Sequence, residues 1–400
     1  MPMSSGTPTT RPRRRSRAVR AASLLLLVPL LASLLAGCDD DPRASQDRPA
    51  PDPAFRIVPG VTLQPPGPGT ETCHATNLLL DAIDNTPAGA TIRLVLFVLT
   101  REDVADALVA AHRRGVRVQV LIEDKFHDDR EADDILEAEI GDDLSADSFL
   151  ARIDATARGA GKRGYTHQKT WLFSQTGASR WVSIVGSANV DYACQDEYND
   201  VYAFVGRRDV FDTVSTMFRQ QVRDRPVPDP ARTFDLGDVR LFFSPGFTLA
   251  DEPIGRLLDR LPAAPTTTVE IAQLSLYGER AASIVPRLAR LVAGGAQVRV
   301  VVRNVAEVVV ARLREAGVEF GTGDFGEEYV HHKLTLVSWI DADGTRRRII
   351  STGSDNLSLP SLDRDEVIAQ IDADAGPARR SWRVYQRGYD DLFARATRAD

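Results

Sequence analysis

Apolar and polar positions along the chain twice pass from a strand-like pattern to a helical one and back. Residues 91–98 read as a mostly buried strand. Residues 103–114 carry apolar positions three and four apart and read as an amphipathic helix, and residues 116–122 alternate as a second strand. The same order returns at 268–274, 281–292 and 297–302. Gly115 and Gly294-Gly295 stand at the matching helix ends, where a left-handed cap favours glycine. A strand, helix, strand unit of this length implies a right-handed crossover between parallel neighbours, with helices covering the sheet. Each half then makes an excursion, 125–164 and 304–328, before a further pair of strands. The proline-rich stretch 225–230 reads as the link between halves. The expectation is an α/β protein of two similar domains, 57–228 and 229–400. Each would be a mixed, largely parallel sheet flanked by helices, the two related by a pseudo-twofold axis.

The N-terminal stretch follows a different pattern. Arg11, Arg13, Arg14, Arg15, Arg17 and Arg20 precede an apolar run over 21–36 that ends in Leu35-Ala36-Gly37-Cys38. This is the pattern of a signal peptide over 1–37 with a lipidation site at Cys38, the run being short for a membrane span. An uncleaved N-terminal anchor is the alternative, and either places the folded part outside the cytoplasm. Residues 38–56, rich in Pro, Ala, Arg and Asp, have little to bury and read as a flexible tether. The expected product is an exported, membrane-anchored lipoprotein.

Charge narrows the range of partners. The formal net charge of −7 becomes about −13 once the six leader arginines are removed, so nucleic acid is an unfavoured partner. Beyond Cys38 only Cys73 and Cys194 remain, and an oxidising compartment permits a disulfide between them; two separate buried thiols are the alternative.

The halves also share candidate chemistry. The first contains Tyr165-Thr166-His167-Gln168-Lys169, then Gly186-Ser187-Ala188-Asn189. The second contains Tyr329-Val330-His331-His332-Lys333, then Gly353-Ser354-Asp355-Asn356. On a strand, residues two apart face the same side, so each His and its Lys would point together. Lysine occurs only at 125, 162, 169 and 333, and two of the four fall at equivalent positions. Downstream, Asp200 and Glu366 precede apolar strands and are candidate orienting partners for the two imidazoles. His74, His112 and His127 have no second copy and read as surface or structural residues. The acidic run 128–134 lacks the spaced ligands of a calcium loop and reads as an exposed helix start, so no metal is expected.

Two copies of His-x-Lys followed by Gly-Ser-x-Asn resemble the phospholipase D superfamily over nearly the whole mature chain. The resemblance implies two phospholipase D-like domains that build one site, and phosphodiester chemistry without a cofactor. It implies that His167 attacks phosphorus to give a phosphohistidine and His331 protonates the leaving alcohol. Lys169, Lys333, Asn189 and Asn356 would hold the phosphoryl oxygens, with Ser187 and Ser354 adding hydroxyl donors. This chain departs from the pattern at Ser174 and Ser338, where the family usually has Asp. The expected substrate is a phospholipid or another phosphodiester, hydrolysed or transferred by a monomer. An exported nuclease and a non-catalytic lipid- or polyanion-binding lipoprotein are the alternatives.

Overall fold

The computed structural model describes residues 48–125, 130–160 and 164–398. The stretch read as a signal peptide, Cys38, most of the stretch read as a tether and His127 lie outside the described residues. The described residues cluster as one compact unit.

The strands form two sheets. The first half contributes β1 (Gly60–Gln64), β2 (Thr91–Leu96), β3 (Arg117–Glu123), β4 (Phe149–Ile153), β5 (Thr170–Thr176), β6 (Ser179–Gly186) and β7 (Glu197–Phe204). The second contributes β8 (Arg232–Asp235), β9 (Val239–Phe243), β10 (Thr268–Leu276), β11 (Gln297–Val305), β12 (Glu319–Thr322), β13 (Asp324–Phe325), β14 (Glu328–Val330), β15 (Lys333–Ile340), β16 (Arg346–Gly353) and β17 (Val367–Asp372). One sheet runs β7-β6-β5-β2-β3-β4 with β1 beside β7. The other runs β17-β16-β15-β10-β11-β12 with β9 beside β17. The topology is therefore written twice, as the repeated pattern predicts.

Among the described residues, parallel pairing between strands is confined to β2-β3-β4, β10-β11-β12 and the short contact of β14 with β7, with isolated parallel bridges elsewhere. The expectation of largely parallel sheets is corrected accordingly: the sheets are mixed, with most pairs antiparallel. The cause is connection length. β5 and β6 are joined by a tight turn and β15 and β16 by a short one, which allow only antiparallel return, whereas β2 reaches β3 through a helix.

Among the described residues eight α-helices accompany the sheets: α1 (His74–Asp84), α2 (Glu102–Arg113), α3 (Glu131–Ile140), α4 (Arg208–Val222), α5 (Pro253–Asp259), α6 (Gly278–Ala293), α7 (Glu307–Glu315) and α8 (Gly376–Ala396). Leu79, Val104, Leu108 and Leu136 of α1, α2 and α3 pack on one face of the first sheet. Leu257, Ile284, Leu288 and Leu313 of α5, α6 and α7 do the same for the second. Between the sheets lies a shared core of Val185 and Tyr202 from one, Leu336 and Ile350 from the other, and Val214 and Tyr385 from α4 and α8. Residues 223–231 connect α4 to β8. No described helix is long and apolar enough to cross a membrane.

Candidate functional site

Each motif segment leaves its own sheet just before its strand and runs beside the other half. Thr166 bridges to Asp365 in parallel, and the His167 backbone N–H donates to the Asp365 carbonyl at 3.0 Å. In the second copy Tyr329 and Val330 pair with Glu197 and Tyr198, and the His331 N–H donates to the Tyr198 carbonyl at 3.0 Å. His167, Gln168 and Lys169 thus precede β5, and His331 and His332 precede β15. This corrects the expectation that each His and its Lys sit together on a regular strand. The pairing partner is a distant segment, which no local periodicity records.

Both imidazoles are buried and each is held at Nδ1 by the opposite half. His167 Nδ1 meets Glu366 Oε1 at 2.9 Å and Oε2 at 3.0 Å. His331 Nδ1 meets Asn199 Oδ1 at 2.8 Å, with Glu197 Oε2 behind it at 3.3 Å. Asp200, expected to orient the second histidine, instead takes His332 Nδ1 at 2.7 Å and accepts from the Tyr385 and Thr352 hydroxyls at 2.6 and 2.5 Å. The correction follows from strand alternation: Asn199 and Asp200 are neighbours and project to opposite faces, as do His331 and His332. A count from the Gly-Ser-x-Asn serines would have found Asn199, since it follows Ser187 by 12 residues as Glu366 follows Ser354.

The two serines are also placed differently from expectation. Ser187 Oγ donates to Asn199 Oδ1 at 2.7 Å and Ser354 Oγ donates to Glu366 Oε2 at 2.5 Å. They fix the orienting groups, and their protons are not directed at a substrate oxygen. The carboxamide oxygens of Asn189 and Asn356 are buried without a protein partner, a loose end that a bound ligand can satisfy. Buried Arg280 braces the second loop through bonds at 2.8 Å to Asp355 Oδ1 and to the Asn356 carbonyl.

The lysines add positive charge at the same place. Lys169 Nζ donates to the His167 carbonyl at 2.6 Å and Lys333 Nζ to the His331 carbonyl at 2.5 Å. Burial, with the charges of Lys169, Lys333 and Arg364, pushes His167 well below the ordinary imidazole range; burial and the charges of Lys333, Lys169 and His167 do the same to His331. Burial lowers Lys333 to about 7 and raises Glu366 to about 7. Each motif histidine is thus built against residues of the other half. Phe97 covers it, its ring 4.8 Å from both the His167 ring and Lys169 Nζ.

A guanidinium lies over each motif tyrosine, Arg303 3.4 Å from the Tyr329 ring and Arg364 4.2 Å from the Tyr165 ring, and the Tyr329 hydroxyl donates to Glu197 at 2.7 Å. Sequence reading passed over Glu197 and Arg364 because they carry no shared motif. Ser174 and Ser338 turn away from the histidines: Ser174 Oγ accepts from the Thr91 N–H at 2.9 Å and Ser338 Oγ from Arg346 at 3.0 Å. His74 and His112 contact the Leu63 carbonyl and Ser148 Oγ, outside the site. Cys73 and Cys194 form a disulfide with a Cα separation of 5.4 Å.

Two similar sheets that exchange segments to complete a paired His and Lys site define an α/β fold of phospholipase D type. Residues 79–222 match the family model described as cardiolipin synthase, PLD-like domain. Residues 79–222 are thus a phospholipase D-like domain, and the motif within them recurs in the second half of the chain. No curated protein matches the sequence. Among solved structures, polyphosphate kinase from Porphyromonas gingivalis aligns with a TM-score of 0.52 and 16% identity, covering 80% of this chain and 48% of its own. This chain therefore spans about half the length of that kinase, and the likeness is one of fold. NucT from Helicobacter pylori (TM-score 0.32, 14% identity) and Nuc, a phospholipase D family member from Salmonella typhimurium (TM-score 0.31, 19% identity), each match over 41% of this chain and 94% of their own.

Proposed function

We propose that the chain is a metal-independent phosphodiesterase that hydrolyses or transfers phosphatidyl groups through a phosphohistidine. The observation that carries this reading is the pair of buried imidazoles, each with Nδ1 committed to an acceptor from the opposite half and its Nε2 left for chemistry. The partners differ in a way that assigns roles. A carboxylate behind His167 stabilises the positive charge its ring gains when Nε2 bonds to phosphorus. The nearest partner of His331 Nδ1 is the neutral Asn199 amide, with the Glu197 carboxylate farther off at 3.3 Å, so positive charge on that ring is held less closely, which suits a group that must give its proton away.

In the first step, with His331 held as the imidazolium by the bound phosphodiester anion, His167 Nε2 bonds to phosphorus as the phosphorus–oxygen bond to the alcohol breaks, and the alcohol oxygen takes the Nε2 proton of His331, leaving that ring neutral. In the second step water or another alcohol attacks phosphorus and returns a proton to His331, and His167 leaves. Lys169, Lys333, Asn189 and Asn356 surround the phosphoryl oxygens. A lipid substrate is supported by the leader and Cys38, which would tether the enzyme to a membrane and so concentrate it on phospholipid.

The test is headgroup release and alcohol exchange from mixed phospholipid vesicles in the presence of chelator, comparing the mature protein with His167→Ala and His331→Ala. Activity lost in both variants, with an acid-labile phosphoryl label trapped on the parent protein, is the expected result. Full activity in either variant would overturn the mechanism, and activity confined to nucleic acids would overturn the lipid substrate.

A further inference from the structure

A pocket of about 520 Å³ opens where β2, β3, β5 and β6 meet α4, at the end of the first sheet remote from His167. Thr91 in its wall begins β2, and Phe97 over the motif histidine follows that strand. Six residues at a rise of ~3.3 Å put about 20 Å between the two places. The volume lies within the ~300–1,000 Å³ of ordinary small-molecule sites. Arg93, Arg117 and Arg180 line the pocket, and among the described residues no Asp or Glu does. These cations gather in a chain whose formal net charge is −7.

None of the three meets a carboxylate among the described residues. Half-buried Arg93 donates to neutral groups, Gln119 Oε1 at 2.9 Å and Ser215 Oγ at 3.5 Å. Burial, then the charges of Arg219 and Arg117, push it below the ordinary guanidinium range. Arg117 donates to Thr91 Oγ1 at 2.9 Å and to the Gly89 carbonyl at 3.2 Å. Exposed Arg180 lies beside the Trp181 ring, 5.6 Å from its centroid. The other polar side chains of the wall are neutral: Ser174 Oγ accepts from the Thr91 N–H at 2.9 Å, and Gln175 Nε2 donates to the Gly177 carbonyl at 3.1 Å. The second half shows the balanced counterpart. Arg93 and Gln119 pair across β2 and β3 as Glu270 and Arg299 pair across β10 and β11, so Glu270 stands where the first half has Arg93. There Glu270 accepts from Arg299 and from Gln386 of α8 at 2.8 Å, and Arg299 donates to Asp390 at 2.6 Å. The first half keeps the cations and lacks the acids, so a counter-charge has to come from outside the chain.

We propose that this pocket binds a small aromatic phosphate monoester. Its dianionic group meets Arg93, Arg117 and Arg180, whose planar forks match phosphate oxygens. Its ring lies against the apolar part of the wall, which Pro87, Trp181 and Phe211 supply. The inference does not rest on the proposed reaction, because binding is read directly and at the other end of the sheet.

The experiment labels the mature protein at tryptophan and follows the Trp181 indole resonance by NMR, assigned with Trp181→Phe. Phenyl phosphate is titrated at about pH 8, where a phosphate monoester is largely dianionic, and at constant ionic strength. Benzoate, with the same ring and one charge, and inorganic phosphate, with the charge and no ring, are titrated in parallel. Trp171, two positions after Lys169, reports separately on binding at the phosphoryl site. The expected result is a saturable shift of Trp181 with phenyl phosphate, at least tenfold weaker with either control. Arg180→Glu should weaken it at least tenfold at a parental melting temperature. No saturable shift of Trp181, equal binding of benzoate, equal binding of inorganic phosphate, or unchanged affinity in folded Arg180→Glu would each overturn the proposal. If Arg180→Glu does not fold, Arg117→Gln replaces it, and phenyl phosphate affinity must then fall at least threefold.

Discussion

At the scale of single residues, the decisive feature is that two chemically identical imidazoles have different partners. Glu366 stands behind His167 and Asn199 behind His331, and this difference makes separable predictions. Protonation of the leaving group matters for an alkyl alcohol and hardly for p-nitrophenol, whose anion departs unaided. His331→Ala should therefore lose the ~10²–10⁴-fold typical of a general acid on an alkyl phosphodiester, and much less on a p-nitrophenyl ester. His167→Ala should lose activity on both. Steady-state rates on the two esters check the assignment, and equal losses in the two variants would reverse or abolish it. The neighbouring Asp365 tests the electrostatics. Its Oδ2 accepts from the Ala157 N–H at 2.6 Å and burial pushes it up to about 7. A raised carboxyl binds its proton more tightly folded than unfolded, so the stability it contributes is present at low pH and declines as pH rises from about 4 to about 7. Asp365→Asn should remove that decline and gain on the parent protein between pH 5 and pH 8, by an amount on the order of a few kcal/mol. Urea unfolding at the two pH values measures it. His167, Lys169, His331 and Lys333 were legible in the sequence because they recur. Asn199 was not, because the copies use different residues at that position and the acid beside it, Asp200, drew attention from it.

At the scale of elements, the strand, helix, strand units were legible because each is built from local contacts whose period is written in the chain. The motif segments were not, since their geometry is set by strands about 200 positions away in the first copy and about 130 in the second. The Gly-Ser-x-Asn turns show how tightly these elements must approach. A Cβ on Gly186 would lie 2.2 Å from the Asp200 carbonyl oxygen, and one on Gly353 would lie 2.0 Å from the Val367 oxygen. The glycines admit β7 and β17 to the strands that carry the site, and with them Asn199 and Glu366. Gly186→Ala should therefore lower stability by ~1–3 kcal/mol through overpacking and reduce activity by moving the Asn199 strand away from His331. Urea unfolding and rates on the alkyl ester are the readouts, and a variant with parental stability would show that the backbone yields at no cost.

At the scale of the whole molecule, neither half holds a complete site. His167 depends on Glu366, His331 on Asn199, and the core between the sheets draws on both. The disulfide acts on this exchange from one side. Cys194 lies in the short helical turn ahead of β7, where its carbonyl accepts from Gln64 at 3.0 Å and Gln195 receives the Gly67 N–H at 2.9 Å. The next residues are those that meet the second motif: the Asp196 carbonyl takes the Tyr329 N–H at 2.8 Å, Glu197 takes its hydroxyl, and Asn199 takes His331. The cross-link spans 121 positions, so its removal releases a long loop in the unfolded chain. Replacing both cysteines by serine should lower unfolding free energy by about 2–5 kcal/mol. The kinetic effect should fall on one histidine. Loosening Asp196 to Asn199 frees the support of His331 and leaves Glu366 behind His167, so the double variant should resemble a mild His331 lesion, losing more on an alkyl ester than on a p-nitrophenyl ester. Equal losses on the two esters would mean that the cross-link supports the fold as a whole and not the acid side of the site.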